Sequence, residues 1–192
     1  MKLAQPQKAR HLPARSRLYL QGVFMTGLLV AGPVMATQKP VYGLYEQAQL
    51  PQIDLQVAAK LDTGAQTSSL SARGITRFKR NGQSWVRFYL AIDSAHQHPV
   101  ERPLARVSKI KRRASDANAD DNKTSSSRPV ITLQLCMGNA LREVEFNLTD
   151  RGAFQYSLLI GTQALMAFNV VVDPALEYAA GKPACVTAGT AE

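Results

Sequence analysis

Not one aspartate or glutamate occurs among the first 36 of the 192 residues, and that absence sets the leader apart from everything after it. Lys2, Lys8, Arg10, Arg15 and Arg17 make an uncompensated basic start, followed by the apolar run Leu18 to Met35. A basic start, an apolar stretch and the ending Val34-Met35-Ala36 are the marks of a secretory signal peptide. Cleavage is therefore expected after Ala36, leaving residues 37–192 as a single domain in the periplasm. An uncleaved anchor is the alternative. Gly22, Gly27, Gly32 and Pro33 weaken a spanning helix, and the run barely covers about 30 Å of hydrocarbon, so no stable membrane span is expected after cleavage. The leader holds five of the 23 bases and none of the 14 acids, so the formal charge of +9 is partly an export feature. Nucleic-acid binding loses most of its compositional support, and no such partner is expected.

Metal and nucleotide signatures are missing as well. There is no His-Glu-x-x-His and no Gly-x-x-x-x-Gly-Lys-Ser/Thr. Beyond the leader only His96 and His98 remain; on a strand they would share a face, with no evident third ligand. The expectation is no metal and no cofactor. The basic cluster Lys109, Lys111, Arg112 and Arg113 reads first as a solvated face, with contact to an anionic substrate or membrane surface as the alternative. Cysteine is scarce: Cys136 and Cys185 stand alone, neither in a Cys-x-x-Cys context. In an oxidising compartment they can form one disulfide if their Cα atoms approach, with buried free thiols as the alternative.

Helical periodicity is scarce too, and what is present is strand. Ile53, Leu55, Val57, Ala59 and Leu61 fall on one face of an extended segment that delivers Asp62. Ile75 to Lys79 and Ser84 to Ile92 flank Asn81-Gly82, a dipeptide suited to a type I′ hairpin turn, and Val130 to Met137 pairs with Leu141 to Thr149 around Gly138-Asn139. Residues 114–128, almost without apolar side chains, are expected to form a mobile loop. Leu158-Leu159-Ile160-Gly161 reads as a short apolar strand, Thr162 to Phe168 as about two helical turns capped by Thr162, and Asn169 to Pro174 as a strand stopped by its proline. The segment from Thr37 to Pro51 is left as either an edge strand or a linker.

The chemistry concentrates in Ala59-Lys60-Leu61-Asp62-Thr63-Gly64-Ala65, an apolar strand ending in a carboxylate on a tight turn. Aspartic peptidases need two carboxylates about 3 Å apart, close enough that one keeps the shared proton while a water between them becomes the nucleophile. The threonine hydroxyl can brace such a turn, and glycine lets the backbone pass close to the carboxylate. By itself Asp-Thr-Gly is also an ordinary turn. The second string, Leu158 to Gly161 followed by a short helix, changes its weight. In this order, and with Trp85-Val86-Arg87-Phe88, Arg128-Pro129-Val130 and Val172-Asp173-Pro174 between and after them, these strings resemble the bacterial retropepsin-like aspartic peptidases that carry the older family name "ATP-dependent zinc proteases".

The resemblance implies an all-β fold, a closed acid-protease barrel of six to eight strands with one short helix near the C-terminus. It also implies that Asp62 is the catalytic aspartate, with Thr63 and Gly64 as its turn and Ile160 and Gly161 as the supporting second motif. One departure is visible: retropepsins usually carry arginine after the second-motif glycine, where this chain has Thr162. Because the chain has a single Asp-Thr/Ser-Gly triplet, a dyad requires a homodimer with Asp62 from each subunit. The expected function is an exported aspartic endopeptidase, a hydrolase acting on a peptide or protein substrate in the cell envelope. The rival is a catalytically silent peptide-binding or adaptor module on the same barrel. Trp85, Phe88 and Tyr89 mark the first hairpin as one candidate flap, and the stretch near residue 120 is the other.

Overall fold

Period-two alternation carries through most of the chain from Val41 onward, and it builds a barrel. The computed structural model describes residues 38–94, 96–111 and 125–186, so residues 1–37, with the cleavage expected after Ala36, lie outside the described residues. The strands are β1 (Val41–Leu50), β2 (Leu55–Leu61), β3 (Ser68–Arg80), β4 (Gln83–Leu90), β5 (Pro99–Pro103), β6 (Arg106–Lys111), β7 (Ser125–Met137), β8 (Ala140–Thr149), β9 (Leu158–Ile160) and β10 (Val171–Glu177). The α-helix α1 (Thr162–Phe168) sits between β9 and β10.

Six strands close into a ring in the order β1-β2-β9-β3-β8-β7, and β7 returns to β1 through the pair Gln49 and Cys136. Closure leaves the ring no free sheet edge. β10 adds in parallel to β1, β6 antiparallel to β7, and β4 with β5 extends the far half of β3. This is the expected closed all-β barrel with one short helix. Its interior is filled by the in-facing residues of the alternating pattern, among them Leu55, Ala59 and Leu61 of β2, Val86 and Phe88 of β4, and Phe146 and Leu148 of β8. Each large side chain so buried contributes about 1.5–3 kcal/mol. At the tip of the β3–β4 hairpin Asn81 and Gly82 both take positive φ, 49° and 80°, as the type I′ turn requires.

The structure departs from expectation at five places. The segment before Pro51 is neither edge nor linker: β1 pairs with β10, β2 and β7. Ile53 belongs to a 3₁₀ turn over Pro51–Ile53, and the left-handed Asp54 (φ 48°) separates that turn from β2. Residues 125–128, expected in a mobile loop, are the start of β7, where Ser126 and Arg128 pair with Ile110 and Ser108; residues 114–124 lie outside the described residues. Pro174 does not end β10. The β1–β10 register slips between Gly43 and Tyr45, so the proline's missing N–H falls in the irregular part of a strand paired on one side among the described residues. Thr162 is the first helical residue and not the cap, because Gly161 occupies the N-cap and no side chain caps the helix.

Cys136 of β7 and Cys185 are joined, with Cα atoms 6.0 Å apart. Ala184 N–H donates to Gly138 O at 2.8 Å beside the bridge, so the segment after β10 is strapped to the β7–β8 turn. A cross-link between residues 49 apart in sequence restricts the unfolded chain substantially. Cys136→Ser should therefore cost about 3 kcal/mol, read as a lower urea midpoint under non-reducing conditions, with a steeper slope because the unfolded chain is no longer cross-linked. An unmoved midpoint would show the bridge to be energetically idle.

Candidate active site

Asp62 is placed by backbone on two sides. β2 runs parallel to β9 with Leu61 opposite Ile160, and Asp62 N–H donates to Ile160 O at 2.8 Å just beyond the pair. The turn closes on the carboxylate: Gly64 N–H donates to Asp62 Oδ1 at 2.9 Å, and Ala65 N–H to Asp62 O at 3.3 Å. Thr63 is exposed, and its hydroxyl makes no hydrogen bond among the described residues of this single chain.

The second motif locks the loop that follows. Gly161 N–H donates to Ser68 Oγ at 3.1 Å, Thr162 N–H to Ala65 O at 2.8 Å and Gln163 N–H to Gln66 O at 3.1 Å. The first amides of α1, which a side chain would ordinarily cap, are satisfied by the carbonyls of the active-site loop. Helix and loop are thereby one hydrogen-bonded unit, and buried Ile160 anchors it in the core.

Asp62 opens into a cavity of about 810 Å³. It is the one carboxylate among the described residues lining that cavity, whereas Lys60, Lys109, Arg128 and Arg151 bring four cations to it. Arg151 is the most enclosed of them at 7 % exposure. Its Nε donates to Tyr156 O at 3.0 Å, its backbone N–H donates to Ser71 Oγ at 3.1 Å, and its guanidinium lies 4.6 Å from the Phe154 ring centre. Burial, and then repulsion from Arg128, pull this guanidinium below its ordinary range, while the carboxylate of Asp62 opposes the shift. Arg128 donates to Asn147 Oδ1 at 3.3 Å, and Asn147 in turn donates to Ser68 O at 2.8 Å. Ser69, 4 % exposed, lines the same cavity with a hydroxyl that has no hydrogen-bond partner among the described residues. A stacked pair, Tyr45 and Tyr156, with ring centres 4.6 Å apart, also lines the cavity.

Of the two flap candidates, the arms leading to residue 120 reach the cavity. Ser108 and Lys109 of β6 and Ser126 and Arg128 of β7 line it, while Trp85, Phe88 and Tyr89 do not. Phe88 is core, and Trp85 packs against Phe78 and Arg80. His96 and His98 fall in the loop before β5 and not on a strand, and His96 Nδ1 lies 2.7 Å from Asp93 Oδ1. No group of three metal-ligating side chains is found among the described residues. Lys60, Arg128, Arg151 and Tyr156 escaped the sequence reading. Lys60 and Arg128 sat inside the strings that carried the resemblance, but only the folded barrel turns them toward Asp62.

A closed barrel with one helix, an Asp-Thr-Gly turn and a supporting Ile-Gly strand defines the retropepsin-like class. This chain belongs to the RimB-like family, described as "Retropepsin-like aspartic endopeptidase RimB", whose model matches residues 41–183. A solved structure of a Legionella pneumophila protein of unknown function (DUF785) is similar at a TM-score of 0.60 and 32% identity, covering 74% of this chain and 99% of that one. Among curated proteins, a "Probable alpha-L-glutamate ligase" of Desulfotalea psychrophila is 30% identical over 147 residues, 75% of this chain and 30% of the relative. Its counterpart in Shewanella pealeana is 30% identical over 151 residues, 77% of this chain and 31% of the relative. The chain thus spans about 30% of the length of these two relatives.

Proposed function

We propose that this chain is an exported aspartic endopeptidase, working as a homodimer in the periplasm on peptides rich in acidic residues. The observation that carries the reading is the composition of the cavity, one carboxylate on an Asp-Thr-Gly turn facing four cations. Family membership supports the peptidase part, and the basic leader supports export. The acidic substrate is supported twice over. Four cations in a confined cleft attract carboxylates, and the curated relatives that share this segment are named for attaching α-glutamate. A ligase that forms an amide and a peptidase that hydrolyses one can act on the same class of chain.

In the proposed reaction the two Asp62 carboxyls, one from each subunit, share one proton across the two-fold axis. The ionised partner takes a proton from the water between them as the oxygen attacks the peptide carbonyl. The protonated partner gives its proton to the carbonyl oxygen, forming a neutral tetrahedral diol. As the C–N bond breaks, one diol hydroxyl returns its proton to a carboxylate, and the other carboxyl protonates the departing nitrogen. The attacking water supplies the proton gained by the leaving nitrogen and the two carboxyls relay it, so the proposed reaction needs no cofactor. Thr63, exposed beside Asp62, is available to the second subunit.

The test compares cleavage of a glutamate-rich peptide with that of its glutamine counterpart by the wild type and by Lys109→Gln, a change at an exposed cleft position that leaves packing untouched. KM for the glutamate peptide should rise about threefold in the variant, while the glutamine peptide is unaffected. Equal cleavage of the two peptides by wild type removes the acidic substrate. Binding of the glutamate peptide without turnover would favour the silent binding module.

A further inference from the structure

We propose that a second groove beside the Asp62 cleft is an outer subsite that takes a lysine or arginine of the same substrate chain. The proposal rests on the peptidase reading above and adds a polarity to its substrate. The groove, of about 600 Å³, lies between β6, β8 and α1. It adjoins the cleft, since Gln66, Thr67 and Ser108 line both. A peptide leaving Asp62 along the active-site loop therefore enters it.

The chemistry of the groove is opposite to that of the cleft. Arg106 and Glu145 neutralise each other at 2.7 Å, and Arg106 donates to Thr67 Oγ1 at 3.2 Å, which ties β6 and β8 to the active-site loop. Glu143 shares the face of β8 with Glu145, since side chains two apart in a strand point the same way. It is exposed and makes no ion pair among the described residues. Met166 lines the same groove, 70% exposed on a helix whose Ala164, Leu165 and Phe168 are buried. An apolar, pliable flank beside an unneutralised carboxylate fits a side chain with an aliphatic stem and a cationic head. Acidic residues at the cleft and a basic residue further along are the pattern that this pair of sites selects.

Fluorescence anisotropy on the Asp62→Asn protein reads binding without cleavage. The probes are a short glutamate-rich peptide, the same peptide extended at either end by a lysine-bearing segment, and the extended peptide with glutamine for lysine. Glu143→Lys should weaken the lysine peptide about tenfold and Met166→Ala about threefold, with the short and glutamine peptides unchanged. Uniform weakening of all three, or undiminished binding of the lysine peptide, overturns the proposal. Failure of the short peptide to bind would instead count against the acidic cleft, while the dependence of the lysine peptide on Glu143 still decides the outer subsite. Should Glu143→Lys turn a dimer into monomers in sedimentation, the groove is a subunit contact and the proposal falls.

Discussion

Asp62→Asn is expected to lower turnover by about 10³-fold or more with folding intact, because the carboxamide can neither accept the water's proton nor hold the shared one. The side chain is half-buried and its Oδ1 accepts from Gly64 N–H, a bond the isosteric amide oxygen keeps, so the turn should survive the change. A stronger version uses mixed subunits. When equal amounts of wild type and Asp62→Asn exchange subunits freely, only wild-type pairs hold two carboxyls, and activity should fall to about one quarter. A fall to one half would mean that each subunit works alone, and undiminished turnover in the pure variant would remove Asp62 from the mechanism.

What could be read from the residues alone follows the range of the interactions involved. The strand periods other than at Ile53, the type I′ turn at Asn81-Gly82 and the Asp-Thr-Gly turn are local, and each appears where the pattern put it. The other misreadings are long-range. Pro174 looked like a stop because its missing N–H was judged without knowing that the register with β1 slips around it. Thr162 looked like a cap because nothing local shows that carbonyls of residues 65 and 66, about a hundred positions earlier, satisfy the helix amides. Serines 125–127 looked like loop because they carry no apolar face, yet pairing with β6 extends them. The cation set of the cleft was the least legible. Arg151 follows β8 with no pattern that marks it; its burial depends on Ser71, Tyr156 and Phe154 meeting in space.

The union of helix and active-site loop makes Gly161 the position where one added carbon should do the most structural harm. Its φ is −90°, so the requirement is one of space and not of backbone freedom. A Cβ there would sit 2.8 Å from Thr67 C and 2.9 Å from Ala65 O and Gln66 O, all backbone atoms of the loop that carries Asp62. Backbone cannot rotate aside as a side chain can, so Gly161→Ala should push the loop from α1, strain its two amide-to-carbonyl bonds and cost about 3 kcal/mol. Gly82→Ala is the control: its Cβ meets nothing within 4 Å, and only the positive φ of 80° opposes it, for about 1 kcal/mol. Urea midpoints should rank wild type, Gly82→Ala and Gly161→Ala in that order, and turnover should fall in the last alone. If Gly161→Ala kept both its midpoint and its turnover, the close approach of helix to loop would not be what holds Asp62 in place.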